Sequence, residues 1–392
     1  MVSNSFNRQS AVSIKRIKVG ITEGDINGIG PEVVLKALAD SRMSELCTPI
    51  VYGSIKVLEY YIAKLEITDI APVVVAAAVD AADGRINVVD VPVNGDLNAV
   101  LTPGNANAGA GTAAFDALEC AVADLRAGNI DVLVTAPICK DTIQSATFHF
   151  PGHTEYLQAS LANDGEQALM TMCTADGLRV ALVTAHMPLA DVAGNLSVEL
   201  ILEKLRIFNR SLQRDFCVEA PRIAVLSLNP HAGENGLLGS EERTIIAPAL
   251  EEARREKILA FGPYAADGFF GSDAFCRFDG VLAMYHDQGL TPFKTLAMEQ
   301  GVNFTAGLPL VRTSPDHGTG FDIAGRGVAS PDSMRQAIYM AIDICRNRRF
   351  HDRARVNPLR SQVKERPERR SYGGQPRREP DAADLASEQS NQ

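Results

Sequence analysis

Short apolar runs and helix-patterned stretches alternate from Ile17 onward: IKVGIT, a Gly-rich turn, PEVVLKALAD, then PIVYG and SIKVLEYYIAKL. This is the cadence of parallel βαβ units, and it restricts the chain to an α/β architecture. In the first turn, EGDINGIGPE, the glycines permit a tight reversal and Pro31 sits where a first helical turn tolerates a missing N–H. Gly24, Gly28 and Gly30 give G-x-x-x-G-x-G. That is not the dinucleotide-binding fingerprint, so the turn reads as a strand-to-helix connection with a phosphate cradle as the alternative.

At 392 residues the chain suits two domains, or one with a tail. Its 46% hydrophobic residues can bury a large core, yet no apolar run is long enough to suggest a membrane span. The opening MVSNSFNRQSAVSIKR lacks the apolar middle of a secretory signal and reads as an extension on a cytoplasmic protein. Seven scattered cysteines, none in Cys-x-x-Cys spacing, indicate neither a disulfide framework nor a thiolate zinc knot, and fit a reducing compartment. The net charge is −10, with 12 Lys/Arg against 3 Asp/Glu between Arg346 and Arg378, so the rest of the chain carries −19. An acidic body argues against nucleic-acid binding, and the mixed Glu/Arg tail, which lacks aromatic interleaving, reads as solvated and disordered from about Asp352.

The run VLAMY opens on Tyr285-His286-Asp287-Gln288-Gly289, with Lys294, Asn303 and Arg312 following in what reads as a loop-rich segment. Two other strand-like runs end in the same way, LRVALVTAHMPLADV on His186 and RIAVLSLNPHAGE on His231. If adjacent strands bring these ends together, three imidazoles could hold a divalent metal with positions left for a substrate; singly, each is a structural histidine bonding a loop. Lys294, Asn303 and Arg312 have the chemistry of an anion clamp, although each alone is an ordinary surface or loop residue. His153-Thr154 offers polar recognition or simply a helix start. Lys140 and Asp267 are candidates for proton handling or for contact with a substrate amine.

Taken together, GDINGIGPE, PGHTEYL, NPHAGENGLLGSEE, AMYHDQG and GLPLVRTSPDHGTGFDIAGRG resemble the 4-hydroxythreonine-4-phosphate dehydrogenase family of pyridoxal phosphate biosynthesis. The resemblance spans about Lys18 to Arg349. It implies a two-domain α/β fold like that of isocitrate and isopropylmalate dehydrogenases, with an interdomain cleft. Residues 16–135 plus 300–350 would form the nicotinamide side and 136–299 the metal, substrate and dimer side. A flexible extension at 1–15 and a charged tail at 352–392 would flank them. It further implies a homodimer whose active sites lie in the interdomain cleft near the subunit interface.

By the same resemblance, His186, His231 and His286 are metal ligands, and His153, Thr154, Lys294, Asn303 and Arg312 bind a phosphorylated hydroxy acid. Asp267 and Lys294 become the catalytic candidates, while His317, Gly318 and Asp322 become the cofactor contacts. The cofactor would be NAD or NADP, with a divalent metal that is zinc, or else magnesium or cobalt. The implied reaction is oxidation of 4-phosphohydroxy-L-threonine to a 3-keto acid that decarboxylates to 3-amino-2-oxopropyl phosphate. Phospho-threonate and phospho-erythronate dehydrogenases share nearly all these motifs, as does a branch acting on aromatic dihydrodiols. From another class, a three-histidine hydrolase and a non-catalytic metal-binding scaffold remain as rivals.

Overall fold

Within β5 (Val132–Thr135), Val132 and Val134 pack into one core while Leu133 packs into another. In β2 (Thr48–Gly53), Ile50 and Tyr52 take one side and Val51 the other. Side chains two apart share a face, so strands covered on both faces must be apolar at every position, and the sequence shows them as unbroken apolar runs. The structure is a computed structural model that describes residues 16–145 and 148–357. The expected extension at 1–15 and the tail beyond 357 lie outside the described residues.

The first part of the chain runs β1 (Lys18–Thr22), α1 (Gly30–Leu38), α2 (Ser41–Leu46), β2, α3 (Ile55–Lys64), β3 (Val73–Val75), β4 (Asn87–Asp90), α4 (Leu97–Val100), α5 (Ala108–Ala127) and β5. As its sequence suggests, α5 stops on Gly128, whose φ of 74° closes the helix in the left-handed region. After β5 come α6 (His153–Leu161), β6 (Leu169–Cys173), β7 (Arg179–Leu182), α7 (Leu189–Asn195) and α8 (Val198–Arg214), which Ser197 caps by accepting from Leu200 N. They lead to β8 (Arg222–Leu226), α9 (Ala247–Arg255), β9 (Leu259–Tyr264), α10 (Ala266–Gly271), β10 (Gly280–Ala283) and α11 (His286–Ala297). The chain closes with β11 (Val302–Ala306), β12 (Val311–Pro315) and α12 (Asp332–Val356).

The twelve strands of the described residues join one sheet in the order β3-β4-β2-β1-β5-β12-β11-β6-β7-β10-β8-β9. The β3-to-β12 wing is parallel throughout, as is the β7-to-β9 wing. Between them, β12, β11, β6 and β7 pair antiparallel. The α/β expectation holds, with a mixed sheet rather than a purely parallel one. Because β7, β10 and β8 are neighbours running in one direction, the segments carrying His186, His286 and His231 all leave the same edge.

The turn after β1 is tied down from two sides. Gly24 has φ 74°, and a Cβ there would lie 2.4 Å from the Pro137 carbonyl oxygen, so the turn requires glycine. Asp25 N donates to that same carbonyl at 2.9 Å. Glu23 is fully buried; its Oε1 accepts from Ser54 N at 3.1 Å and its Oε2 has no partner. Burial pushes its carboxyl up to about 8, against the pull of the Ser54 N–H and with a further push from Asp90. Between pH 4.5 and about 8 the folded chain therefore keeps a proton here that the unfolded chain has released. Folding stability from this group falls as pH rises through that window. Glu23→Gln is expected to melt about 2–5 °C above the parent near pH 9 and level with it near pH 5. Thermal scans at the two pH values check this, and an equal shift at both would contradict it.

Candidate active site

The floor of the site is the centre of the sheet. Arg312 and Ser314 stand on one face of β12, Asn303 and Thr305 on one face of β11, and the register pairs Asn303 with Ser314 and Thr305 with Met170. Thr135 ends β5 beside them. The reading of 294–312 as loop-rich is corrected here: Lys294 lies on α11, Asn303 on β11 and Arg312 on β12. Pro292 inside α11 and the brevity of both strands had hidden these elements.

Arg312 is 2% exposed. Its Nε and Nη2 donate to Thr135 Oγ1 at 3.0 and 2.6 Å, and its Nη1 donates to Thr305 Oγ1 at 3.2 Å. No carboxylate pairs with it among the described residues, and burial lowers it to about 9. Above this floor lies a cavity of about 270 Å³ whose lining includes Lys140, His153, Thr154, Glu155, His186, His286, Lys294, Asn303, Asp316, His317 and Gly318. Five buried polar atoms of that lining have no hydrogen-bond partner: His153 Nε2, Glu155 Oε2, Asn303 Oδ1, Asp316 Oδ2 and His317 Nε2. Unpaired buried polar groups cost about 1–3 kcal/mol each, so their concentration in the residues around one cavity fits a polar ligand there.

The charges divide the cavity. Lys294 Nζ pairs with Asp316 Oδ1 at 2.8 Å. Burial raises the Asp316 carboxyl, opposed by Lys294. Burial, with Arg312 and Lys140 nearby, holds His153 well below its usual range, so it enters the site as a neutral ring. Burial also lowers His317, whose Nδ1 lies 3.1 Å from the Gly318 carbonyl.

His186 and His286 face each other with ring centroids 6.0 Å apart. His186 Nδ1 is 3.0 Å from Glu155 Oε1, and His286 Nδ1 is 2.7 Å from Asp287 Oδ1. A carboxylate accepts, so in the neutral rings each Nδ1 carries the proton and each Nε2 keeps its lone pair for a cation. This donor set fits a divalent metal, and His186 and His286 are the residues of this chain that would hold it. His231 is exposed and lies outside the cavity, in a turn where residues 231–235 all have positive φ. No cluster of three His, Cys, Asp or Glu that could hold a metal forms among the described residues.

Of the expected cofactor contacts, His317 and Gly318 line the cavity and Asp322 is exposed outside it. A Cβ at Gly318 would meet nothing within 4 Å, and that space beside the unpartnered His317 Nε2 fits a bound group. The loop carrying them is clasped by α1. Glu32, fully buried, accepts from Ala329 N at 2.9 Å and Gly327 N at 3.4 Å, and Lys36 Nζ donates to the carbonyls of both residues. Ile29 N donates to Thr319 O at 2.8 Å, so the EGDINGIGPE motif serves to hold the second Gly-rich loop. Asp267 is exposed on α10, away from the cavity. The sequence reading passed over Thr135, Glu155 and Asp316. Asp316 sits inside the SPDHG motif, and Glu155 follows His153-Thr154 directly, so both carried a signal.

A mixed α/β sheet carries a cation-floored cavity beside two carboxylate-backed imidazoles, a set of side chains with the chemistry to take an anionic small molecule and a divalent cation. The chain belongs to the PdxA family, pyridoxal phosphate biosynthetic protein PdxA, whose model matches residues 45–341. A 4-hydroxythreonine-4-phosphate dehydrogenase of Bacteroides thetaiotaomicron is 55% identical over 351 residues, covering 90% of this chain and 95% of that protein. The crystal structure of a 4-hydroxythreonine-4-phosphate dehydrogenase from Klebsiella pneumoniae superposes with a TM-score of 0.74 at 35% identity, covering 86% of this chain and 99% of that one. A terephthalate 1,2-cis-dihydrodiol dehydrogenase from Burkholderia xenovorans is more distant, with a TM-score of 0.55, 26% identity and coverage of 83% and 98%. The family is one of nicotinamide-dependent dehydrogenases that use a divalent metal.

Replacing a buried, unpaired cation with an apolar side chain of similar length removes a desolvation penalty. Arg312→Met is therefore expected to keep or raise the urea midpoint while weakening the binding of inorganic phosphate at least about 10-fold. Titration calorimetry with phosphate is the check. Unchanged phosphate affinity would remove Arg312 from the anion site.

Proposed function

We propose that this chain oxidises the C3 hydroxyl of 4-phosphohydroxy-L-threonine to the 3-keto acid, which loses carbon dioxide to give 3-amino-2-oxopropyl phosphate. The observation that carries the reading is Arg312, a buried guanidinium with hydroxyl partners alone, opening on a cavity whose far wall is the His186–His286 pair. Arg312, Lys294 and Asn303 take the phosphate; His153 and Thr154 add neutral contacts that do not compete with Arg312 for charge. A divalent cation held by His186 and His286 would supply Lewis-acid stabilisation of the deprotonated hydroxyl, and a bound NAD or NADP would supply the hydride acceptor. Anchoring the phosphate fixes C3 against the imidazole pair and excludes water from the floor. The Lys294 ammonium, held by Asp316, adds a second positive charge to the phosphate end of the cavity. All seven cysteines are free thiols, which supports placing the reaction in the cytoplasm.

His231 and Asp267 are exposed and outside the cavity, and we assign them to the site of a second copy in a homodimer. Leu189 on α7 is 71% exposed and Leu237, just after the His231 turn, is 80% exposed, apolar surface that a second copy would cover. In the working enzyme His231 would then complete the metal site in trans.

Two measurements test these readings. Nicotinamide reduction, followed by absorbance, is expected with 4-phosphohydroxy-L-threonine; cleavage of phosphate esters without reduction would favour the hydrolase instead. His186→Ala and His231→Ala, each inactive alone, are expected to regain about a quarter of parental activity when co-folded in equal amounts. Half the dimers are then mixed and each mixed dimer keeps one intact site. No recovery would place His231 in the same chain's site or outside the metal site.

A further inference from the structure

Two carboxylates line the cavity, Glu155 and Asp316. Asp316 commits Oδ1 to Lys294, and its Oδ2 is turned toward Gly301, 3.2 Å from where a Cβ of that glycine would stand. Glu155 is arranged differently. It lies in the first turn of α6, and Oε1 meets His186 Nδ1 at 3.0 Å. Its Oε2 is buried without a partner beside Gly152, 3.5 Å from the Cβ position there, and that glycine lines the cavity too. A carboxylate oxygen buried at a cavity wall without a donor calls for a cationic or N–H donor on the ligand.

We propose that Glu155 determines substrate specificity: Oε1 orients His186, and Oε2 accepts hydrogen bonds from an ammonium group on the carbon next to the oxidised hydroxyl. The inference rests on the function proposed above and decides between its substrates. 4-Phosphohydroxy-L-threonine carries an ammonium at C2, whereas the phospho-threonates and phospho-erythronates carry a hydroxyl there. An ammonium gives Oε2 a charge-assisted bond beside the metal-binding edge of His186, while a hydroxyl gives only a neutral one. The cavity would then be divided by charge. Arg312 and Lys294 take the phosphate, and Glu155 takes the amine at the end where His186 and His286 hold the reacting carbon.

The test is Glu155→Gln in the metal-loaded enzyme. The amide oxygen still accepts from His186 Nδ1, while the NH₂ places donors where the ammonium would sit. Titration calorimetry measures the binding of 4-phosphohydroxy-L-threonine and of its 2-hydroxy counterpart to both proteins, with metal content determined in parallel. Expected is a preference of the parent for the amino compound, a loss of about 10²-fold for that compound in Glu155→Gln, a change within about 3-fold for the hydroxy compound, and unchanged metal content. Equal losses for both ligands with reduced metal would overturn the assignment and leave Glu155 a support for His186 alone. A parent that binds both compounds equally would overturn it as well. Turnover is read separately: if the binding preference holds but neither compound reduces nicotinamide, the proposed reaction fails while the Glu155 assignment stands.

Discussion

The guanidinium of Arg312 sits where the sheet changes from parallel to antiparallel, bonded to β5 on one side and β11 on the other. Three N–H groups reach two threonine hydroxyls, and neither hydroxyl offsets the charge. Desolvating such a cation costs several kcal/mol, and the strands on either side must supply it. They do so through cores on both faces, including Val132, Val134, Val302, Phe304 and Val311 on one and Leu133 and Leu308 on the other. The cation is thus held in place before any ligand arrives. An incoming anion meets a positive charge already desolvated and oriented, and little of its binding energy is lost to reorganisation.

Around that floor the walls are also fixed in advance. Buried Glu32 and its neighbour Lys36 tie α1 to the segment ending the loop of His317 and Gly318, while Gly24 and Asp25 tie the turn before α1 to the end of β5. One Gly-rich motif therefore braces two parts of the cavity without lining it. This is why its spacing departs from a phosphate-binding fingerprint: its backbone donors are spent on Pro137 and Thr319 carbonyls.

Much of this was readable in the sequence, because strands buried on both faces leave unbroken apolar runs and helices leave caps such as Ser197 and stops such as Gly128. The residue types of the site were readable for the same reason: His186 and His286 interrupt apolar runs abruptly. What could not be read is direction and register. That β7, β10 and β8 leave the same edge follows from pairings made between distant segments, and that Asn303 stands opposite Ser314 follows from a hairpin whose strands are only 5 residues long. The acid at 155 was legible as a favourable first-turn helix residue, a role it shares with Glu32 and Glu199. Its second use, backing His186, appears only once α6 and the β7 edge are seen side by side. His231 was placed at a strand end, but β8 stops at Leu226 and His231 opens a turn of five positive-φ residues, a conformation that PHAGEN does not announce.

The reversal at the centre of the sheet also sets the length of ligand the site can hold. The parallel wings run in opposite directions, so the segment after β5 and those after β7 and β10 leave opposite edges. Residues from both meet only over the face of the antiparallel strands between them. From β12 to β7 there are three strand spacings, roughly 14 Å. A long side chain from one end and an imidazole from the other leave room for a short chain bearing an anion at one end and a reacting carbon at the other. Widening the centre by one strand would separate the proposed anion site at Arg312 from the proposed metal-binding edge at His186 by about 5 Å more. The antiparallel centre is therefore the ruler of the site, and the buried arginine is its fixed end.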